Sequence, residues 1–335
     1  MRKGAGKKNY LSRVMNAYIF GRRDSNLSFW HTPLCANELA EEDMAGVRRY
    51  PMNFEAKTRY KAYTDEAGVI LLNYYGNLGL QYNPNAIAQA ALGYYDKYLQ
   101  TNSKEDKESF LTQANFFVKH GREVSDDIIL WEYKFPFEMR NLLPGPWRSA
   151  LAQGQAISVL IRAHQLTGDS TYAQFAHRGY HAFRFLSREH EGGVVDDHNK
   201  YVWLEEYIVD PPNHVLNGFI WTLWGVRDYA VYFNDRHASN IWLECLKTLE
   251  HNLKNYDVGF WTTYDWPQGY DKKQPVMPSS LYYQRLHVVQ MLATYNLTGK
   301  DFFIEYHNRW QKQLNSFWKK GVSQAWKAYF KIRYF

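Results

Sequence analysis

The sequence predicts a mainly α protein: an incomplete (α/α) toroid of helical hairpins, with β-hairpin excursions and a β-rich N-terminal region. Three observations predict it. They are a weak internal repeat of about 65 residues, helix-end signals that recur within the repeat, and Gly-rich aromatic segments between the helices. The 335 residues are 45% hydrophobic and 22% charged, an ordinary globular composition that can bury a sizeable core.

The first part of the chain lies outside the repeat. Residues 69–80 indicate a strand, a turn and a second strand, because Gly76-Asn77 separates two apolar runs. We therefore predict a β-rich N-terminal region over residues 1–82 and an (α/α) toroid catalytic domain over residues 83–335. The N-terminal region is expected to pack over the open side of the toroid.

Two series of helices make up the repeat. The predicted inner helices begin near Pro84, Trp147, Pro212 and Ser279. The predicted outer helices begin near Lys104, Asp169, Arg236 and Lys300. The tripeptide Leu-Thr-Gly recurs at 166–168 and 297–299, where one helix is expected to end on glycine before the next begins. The repeating unit is therefore a helical hairpin.

Longer excursions follow the hairpins, over roughly 122–146, 189–211 and 254–278. They are rich in Gly, Asp, Val, Trp and Tyr, which is typical of short β-hairpins. Because they leave the helices on the same side, we expect them to form the rim of a central cleft.

Polar residues recur in register on the inner helices. Gln89, Gln153 and Asn217 are each 64 residues apart, and the next period falls near Tyr283. A buried amide costs free energy unless it is solvated or hydrogen bonded. The pattern therefore indicates either a shared polar cleft or hydrogen-bonded core amides.

Composition favours an acidic carbohydrate as the partner. The chain has 27 Tyr, 19 Phe and 12 Trp, and aromatic rings stack on the apolar faces of sugars. Its net charge of +6 favours an anionic partner. No nucleic-acid module, signal peptide or transmembrane run is visible, and the basic N-terminus is short (Arg2, Lys3, Lys7 and Lys8). We expect a cytoplasmic protein that binds an acidic polysaccharide, with no nucleic acid and no membrane segment.

Several enzyme classes are excluded by their missing motifs. The chain has no nucleotide-binding loop, no paired-cysteine metal site, no nucleophile elbow and no zinc-protease spacing. Tyr, Glu and Asp residues near the predicted rim remain, within residues 144–155, 203–218 and 256–287.

These three segments resemble the C-terminal catalytic region of the glucuronyl 5-epimerases that act on heparin and heparan sulfate precursors. The first carries Ala-Gln-Gly-Gln at 152–155, and the second carries Glu-Glu-Tyr at 205–207 and Val-Leu-Asn-Gly at 215–218. The third has Tyr-Asp pairs at 256 and 264, then Tyr283 with His287 one turn later. The resemblance covers roughly residues 140–315 well and 55–100 loosely.

The resemblance implies an (α/α) toroid that inverts carbon 5 of D-glucuronate in a polymer, giving L-iduronate. It implies catalytic roles for Glu206, Tyr207 and Tyr283. It also implies a homodimer and no redox cofactor, and we predict neither a cofactor nor a metal site. The candidate substrate-binding residues are Tyr82, Trp147, Arg148, Gln153, Gln155, Trp203, Asn217, Tyr264, Arg285 and His287.

Two positions depart from the pattern of the resembled enzymes. Trp266-Pro267 follows the second Tyr-Asp pair, where animal members have an arginine, and Gln284 follows the late tyrosine in place of histidine. The cation that holds an acidic group would then be one of Arg148, Arg285, Lys272 and Lys273. A plain heparosan-like substrate is therefore expected rather than a sulfated one.

The chemistry itself leaves alternatives open. Removal of the hydrogen at carbon 5 builds charge on the adjacent carboxylate, so inversion needs a base and an acid on opposite faces of the ring. A polysaccharide lyase passes through the same intermediate and then expels the group at carbon 4. A glycoside hydrolase would pair Glu206 with Asp196 or Asp197. A non-catalytic carbohydrate-binding protein would use the aromatic rings for stacking alone.

Overall fold

The computed structural model describes residues 26–74, 76–138, 142–197 and 200–334. The basic N-terminal residues Arg2, Lys3, Lys7 and Lys8 lie outside these ranges.

The described chain is a series of helical hairpins. Its inner helices are α3 (Pro84–Thr101), α5 (Ala150–Thr167), α7 (Leu216–Tyr232) and α9 (Leu281–Thr298). Its outer helices are α4 (Lys104–Lys119), α6 (Ser170–Tyr180), α8 (Arg236–Asn252) and α10 (Asp301–Asn315). Two short helices precede them, α1 (Asn26–Trp30) and α2 (Glu41–Gly46), and α11 (Phe317–Tyr334) follows.

The inner helices begin at residues 84, 150, 216 and 281, which confirms the predicted repeat of helical hairpins. Side-chain caps begin several helices, for example Ser149 at α5 and Ser280 at α9. The predicted C-terminal glycines are confirmed too. Gly168 and Gly299 end α5 and α9 at φ values of +72° and +64°, a left-handed conformation that only glycine adopts without strain.

Close packing joins neighbouring inner helices into an arc. A Cβ atom on Gly225 of α7 would lie 2.2 Å from the backbone oxygen of Gly154 on α5, so the two helices approach at their glycines. A buried ion pair of 2.7 Å between Arg162 of α5 and Asp228 of α7 crosses the same interface. Arg162 also donates to the carbonyl oxygen of Arg48, which ties the arc to the N-terminal region.

The strands are short and pair antiparallel in sequence order. In the N-terminal region β1 (Cys35–Ala36) pairs with β2 (Met52–Asn53), and β3 (Leu72–Asn73) pairs with β4 (Leu80–Gln81). The predicted strand, turn and strand over 69–80 is thereby confirmed. Strands β1 and β2 contact α9 and β2 also contacts α3, so this small sheet lies between the first and last inner helices.

The predicted excursions also form β-hairpins. Strands β5 (Arg122–Ser125) and β6 (Ile128–Leu130) form the first, β7 (Phe137–Glu138) and β8 (Leu142–Leu143) the second, and β9 (Val195–Asp196) and β10 (Trp203–Leu204) the third. Isolated bridges join Asp257 to Thr262 and Thr263 to Pro278 in the last excursion. In the described ranges, none of the helices is long and apolar enough to cross a membrane. The division at residue 82 stays a prediction.

Candidate active site

Two adjacent glutamates leave the end of β10 in different directions. The backbone N–H of Ala150, at the start of α5, donates to the carbonyl oxygen of Glu205 at 2.9 Å and anchors the segment. The Glu205 carboxylate accepts hydrogen bonds from the ring and backbone nitrogens of His214. The Glu206 carboxylate accepts one from Tyr207 instead. Of the two carboxylates, Glu205 is thus bound to His214 and Glu206 to Tyr207.

A chain of hydrogen bonds ends on Glu206. Tyr264 donates to the phenolic oxygen of Tyr207, which in turn donates to the Glu206 carboxylate. The Tyr264 carbonyl oxygen accepts from the backbone N–H of Leu216 at 3.2 Å, so this tyrosine is fixed to the first turn of α7. The two rim segments that carry Tyr207 and Tyr264 therefore meet over one carboxyl group.

Tyr283 completes the group from a third direction. It lies in the first turn of α9, and its ring is 4.7 Å from the Tyr264 ring with an interplanar angle of 71°. Tyr283 also raises the pKa of Tyr207 electrostatically. Tyr283 is half-buried, whereas Glu206, Tyr207 and Tyr264 are buried. It is therefore the most accessible member of this set, which we call the Glu-Tyr cluster (Glu206, Tyr207, Tyr264 and Tyr283).

The Glu206 side chain packs directly on Gly218 in the first turn of α7. A Cβ atom there would lie 2.2 Å from the carboxylate Oε2 and 2.6 Å from the Glu206 Cβ, so no larger residue fits. The Val-Leu-Asn-Gly motif therefore needs glycine at its last position, because a side chain there would collide with the Glu206 carboxyl group. Within the described residues, Glu206 Oε2 has no hydrogen-bond partner. One oxygen of the carboxyl group is thus fixed by Tyr207 and the other is unpartnered.

Burial dominates the protonation of this site. It raises the pKa of the Glu206 carboxyl to about 8, and the nearby Glu205 carboxylate raises it further while the Tyr207 hydrogen bond opposes the shift. Burial also raises the pKa of Tyr207 and of Tyr264 well above the usual range, and Glu206 adds to both shifts. Glu206 therefore titrates at a pH where it can both accept and release a proton.

Aromatic side chains wall the cluster on the hairpin side. Trp147 stacks on Tyr133 with ring centroids 3.9 Å apart, and it lies 5.7 Å from the Tyr207 ring. The Phe137 ring stacks on the Tyr207 ring, with centroids 5.6 Å apart. Tyr133 and Phe137 are residues that the sequence reasoning missed. The β-hairpin prediction for 122–146 covered them, but nothing in the sequence showed which of its aromatic residues faces inward.

Several predicted substrate-binding residues are held by protein groups in the core. Gln153 donates to the carbonyl oxygens of Ile129 and Gly179, at 2.5 and 2.9 Å. Gln155 accepts from Gln89 and donates to Tyr50, each at 3.3 Å. These contacts are those of hydrogen-bonded core amides, the second of the two interpretations of the polar repeat.

The remaining predicted residues differ in their surroundings. His287 is fully buried against Thr262, and burial lowers its pKa to about 3. The Trp203 ring stacks on the His214 ring, with centroids 3.9 Å apart, and is not part of the Glu-Tyr cluster. Asn217 is buried next to Gly218, and its Oδ1 atom has no hydrogen-bond partner in the described chain.

The two predicted arginines and Tyr82 lie apart from the Glu-Tyr cluster. Arg148 donates to the carbonyl oxygens of Gly193 and Ser187, both at 2.8 Å, and so braces the third hairpin. Arg285 is exposed on α9, two residues after Tyr283 and therefore on a different side of the helix. Tyr82 donates to Asp65 at 2.7 Å and lines a groove at the outer side of the rim. The role of each as a substrate ligand stays a prediction.

A second polar group, not predicted, lies behind the Glu-Tyr cluster. Asp196, Glu205 and His214 are buried, and each offers a ligand atom within 4.8 Å of the others, close enough for a cation. Hydrogen bonds account for the same arrangement, because Glu205 is bound by His214 and Asp196 by Tyr270. This group supports the backbone that presents Glu206, and we assign no ion to it. It could not be found in the sequence, because its members are separated by loops of irregular length.

Comparison with known proteins agrees with this geometry. Residues 125–312 match the family described as "D-glucuronyl C5-epimerase C-terminus", which is more than half of the chain. An uncharacterized protein of Methanocaldococcus jannaschii is 30% identical over 275 residues, which cover 75% of this chain and 85% of that protein. The D-glucuronyl C5-epimerase of Caenorhabditis elegans is 34% identical over 174 residues, which are 48% of this chain and 28% of that enzyme.

A solved structure is similar over most of the chain. Cellobiose 2-epimerase from Spirochaeta thermophila superposes with a TM-score of 0.53 and 9% sequence identity, covering 91% of this chain and 84% of that one. Likeness at so low an identity concerns the fold, and it agrees with the predicted (α/α) toroid.

Proposed function

Because the chain belongs to the D-glucuronyl C5-epimerase family, and so to the carbohydrate epimerases, we propose that it inverts carbon 5 of D-glucuronate units within a heparosan-like polysaccharide. The product would be L-iduronate in an intact chain. The observation that carries the proposal is the Glu-Tyr cluster itself. It combines a buried carboxyl group whose pKa is raised to about 8, hydrogen bonded to one tyrosine, with a more accessible tyrosine nearby.

In the proposed reaction, carbon 5 of the sugar loses one proton and gains another on the opposite face. Glu206, when ionised, takes the hydrogen from carbon 5, and the electron pair of the broken bond moves into the sugar carboxylate as an enediolate. Tyr283 then donates its hydroxyl proton to carbon 5 from the opposite face, and the enediolate returns to a carboxylate. Glu206 is left protonated and Tyr283 ionised. Tyr283 is half-buried and can regain its proton from solvent, while Tyr207 and Tyr264 offer a route by which the proton on Glu206 can leave the site.

The surroundings suit a weakly acidic carbon. A carboxylate with a pKa of about 8 is a stronger base than an ordinary one, because burial removes the water that would stabilise its charge. Trp147 and Phe137 pack around Tyr207 and keep water from the hydrogen-bonded chain. In such a low-dielectric site the tyrosine hydroxyls stabilise developing negative charge more strongly than they would in water.

The hydrolase alternative fits the contacts less well. A hydrolase would need a second free carboxylate across the bond from Glu206. Asp197 pairs with Arg188 at 2.5 Å, and Asp196 is bound by Tyr270 and lies 3.8 Å from the same arginine. Both aspartates are thus already paired with other side chains. A lyase would use the same base as an epimerase, so the distinction has to be made from the product.

The test is incubation with heparosan in deuterated water, followed by proton NMR and ultraviolet absorbance. The proposal predicts iduronate signals with deuterium at carbon 5, in chains of unchanged length. Shortened chains with the absorbance of an unsaturated uronate would mean a lyase. Binding without exchange or cleavage would mean a carbohydrate-binding protein, and no interaction at all would reject heparosan as the substrate.

A further inference from the structure

A groove lies beside residues 133–135, on the side of this segment that faces away from the Glu-Tyr cluster. Its larger part has a cavity volume of about 480 Å³ and is lined by Lys119, His120, Arg122 and Lys134 among others. A smaller part of about 60 Å³ adjoins it, shares His120 and Lys134, and is walled by Tyr82. The combined volume is in the range of ligand sites, roughly 300–1,000 Å³.

Two lysines line this groove without an ion pair to any described residue. Lys119 ends α4 and Lys134 follows Tyr133, and both side chains are exposed. In the described part of the chain neither forms an ion pair, whereas Arg122 is held by Glu132 at 2.7 Å. Burial lowers the pKa of His120, and Lys134 and Lys119 lower it further while Asp65 opposes them, so both lysines lie near this imidazole. Glu132 also lines the groove but is paired with Arg122, so the two lysines give the groove its net positive charge.

An aromatic surface adjoins these charges. Phe116 and His120 stack with ring centroids 4.7 Å apart, and Tyr82 lies 5.1 Å from the first and 5.3 Å from the second. The Tyr82 hydroxyl is fixed by Asp65 at 2.7 Å. Aromatic faces beside cations are the combination that binds a charged sugar, because the ring packs on its C–H face while the cations pair with its carboxylate.

The groove and the Glu-Tyr cluster lie on two sides of one segment of chain. Residues 133–135 are alternately buried, exposed and buried, as expected for an extended segment with one side in the core. Tyr133 therefore faces inward, stacked on Trp147, while Lys134 faces the groove. Trp147 in turn contacts Tyr207. Pro146 lines the groove and the next residue, Trp147, contacts Tyr207, so only this segment separates a sugar at the cluster from one in the groove.

We propose that this groove, formed by Lys119, His120, Lys134 and the Tyr82 ring, which packs on buried Phe116, binds a uronate of the polysaccharide other than the one being inverted. The inference rests on the proposed function for the identity of the polymer. The groove would hold the carboxylate of the remote sugar and so fix the register of the chain.

The test compares two double variants of equal charge change. Lys119→Ala/Lys134→Ala removes the groove cations, and Lys247→Ala/Lys254→Ala removes two exposed lysines on α8 and just after it. With long heparosan chains the groove variant should raise KM about tenfold, an effect that falls on KM rather than on kcat. The control should behave as the wild type. The same KM in both double variants, with the wild type active, overturns the groove and leaves the proposed function standing.

A binding measurement keeps the two proposals separate. The His120 ring signals are titrated by NMR with heparosan oligosaccharides, and bound carboxylate should raise the His120 pKa because it offsets the two lysines. Acetate at the same carboxylate concentration serves as the small-anion probe. No shift with the oligosaccharide, or an equal shift with acetate, overturns the polymer site. This readout needs no turnover, so failure of the epimerase reaction would be seen independently.

Discussion

Replacement of Glu206 by glutamine is expected to stabilise the protein while abolishing its activity. The carboxyl group has a pKa of about 8 in the folded chain, against 4.5 without burial. Such a raised pKa means that the stability contribution of the neutral group is fully present below pH 4.5 and is lost as the pH rises through 8. Glutamine has the same shape and no charge, so the variant keeps that stability at every pH.

The magnitude follows from the two pKa values. At pH 7 Glu206 is ionised in the unfolded chain and neutral in the folded chain. Because pH 7 lies about 2.5 units above the unfolded pKa of 4.5, keeping the group neutral costs about 3 kcal/mol of folding free energy. The advantage of Glu206→Gln should vanish near pH 4 and level off above pH 8 at about 5 kcal/mol. The free energy of unfolding is measured by urea denaturation across this pH range.

Glu205→Gln is the matched control for that experiment. Glu205 is equally buried but is hydrogen bonded by the ring and backbone of His214. Loss of this charge-assisted contact should destabilise the protein by about 1.5–3 kcal/mol. If Glu206→Gln were no more stable than the wild type at pH 8, the carboxyl group would not be held neutral by burial, and the reasoning about its basicity would fail.

Three further predictions concern the same site. Tyr283→Phe should lower kcat by about 10²–10⁴ with substrate affinity kept, because the ring remains and only the proton donor is lost, whereas Tyr282→Phe, measured in the same turnover assay, should keep most activity. Gly218→Ala should cost about tenfold or more in kcat, since its Cβ would lie 2.2 Å from Glu206 Oε2, while Gly321→Ala meets nothing within 4 Å and should leave turnover unchanged. The value of kcat/KM should rise with pH to a plateau above about 8, since the free enzyme must ionise Glu206; a profile that is flat from pH 6 to 9 would contradict its role as base.

The helical framework could be predicted because its signals are local. The Leu-Thr-Gly joins at 166–168 and 297–299 mark helix ends through one left-handed glycine each, and the structure has both. The repeat of about 65 residues then gives the hairpins and the β excursions between them. The homodimer and the cytoplasmic location stay predictions, as no described contact bears on either.

The candidate site could be predicted only in part. Glu206, Tyr207 and Tyr283 were indicated by a family pattern, and the structure brings them together with Tyr264. The direction of the Arg148 side chain could not be predicted, because the carbonyl groups that it bonds are 39 and 45 residues away in sequence. The repeated amides, among them Gln153, were equally ambiguous, because amides that face the core and amides that face a cleft can recur at the same interval in the sequence. Long-range loop geometry decides both, and it leaves no periodic signal.

The most direct test of two groups acting on two faces is the early distribution of deuterium during turnover in deuterated water. If Glu206 removes the proton and Tyr283 supplies another, iduronate should carry deuterium at carbon 5 from the first turnovers. Glucuronate recovered at that time should retain hydrogen, because its carbon 5 has not yet met the second group. Deuterium that appears equally in both sugars from the start would mean that a single exchanging base serves both faces, and the account of the site would be contradicted.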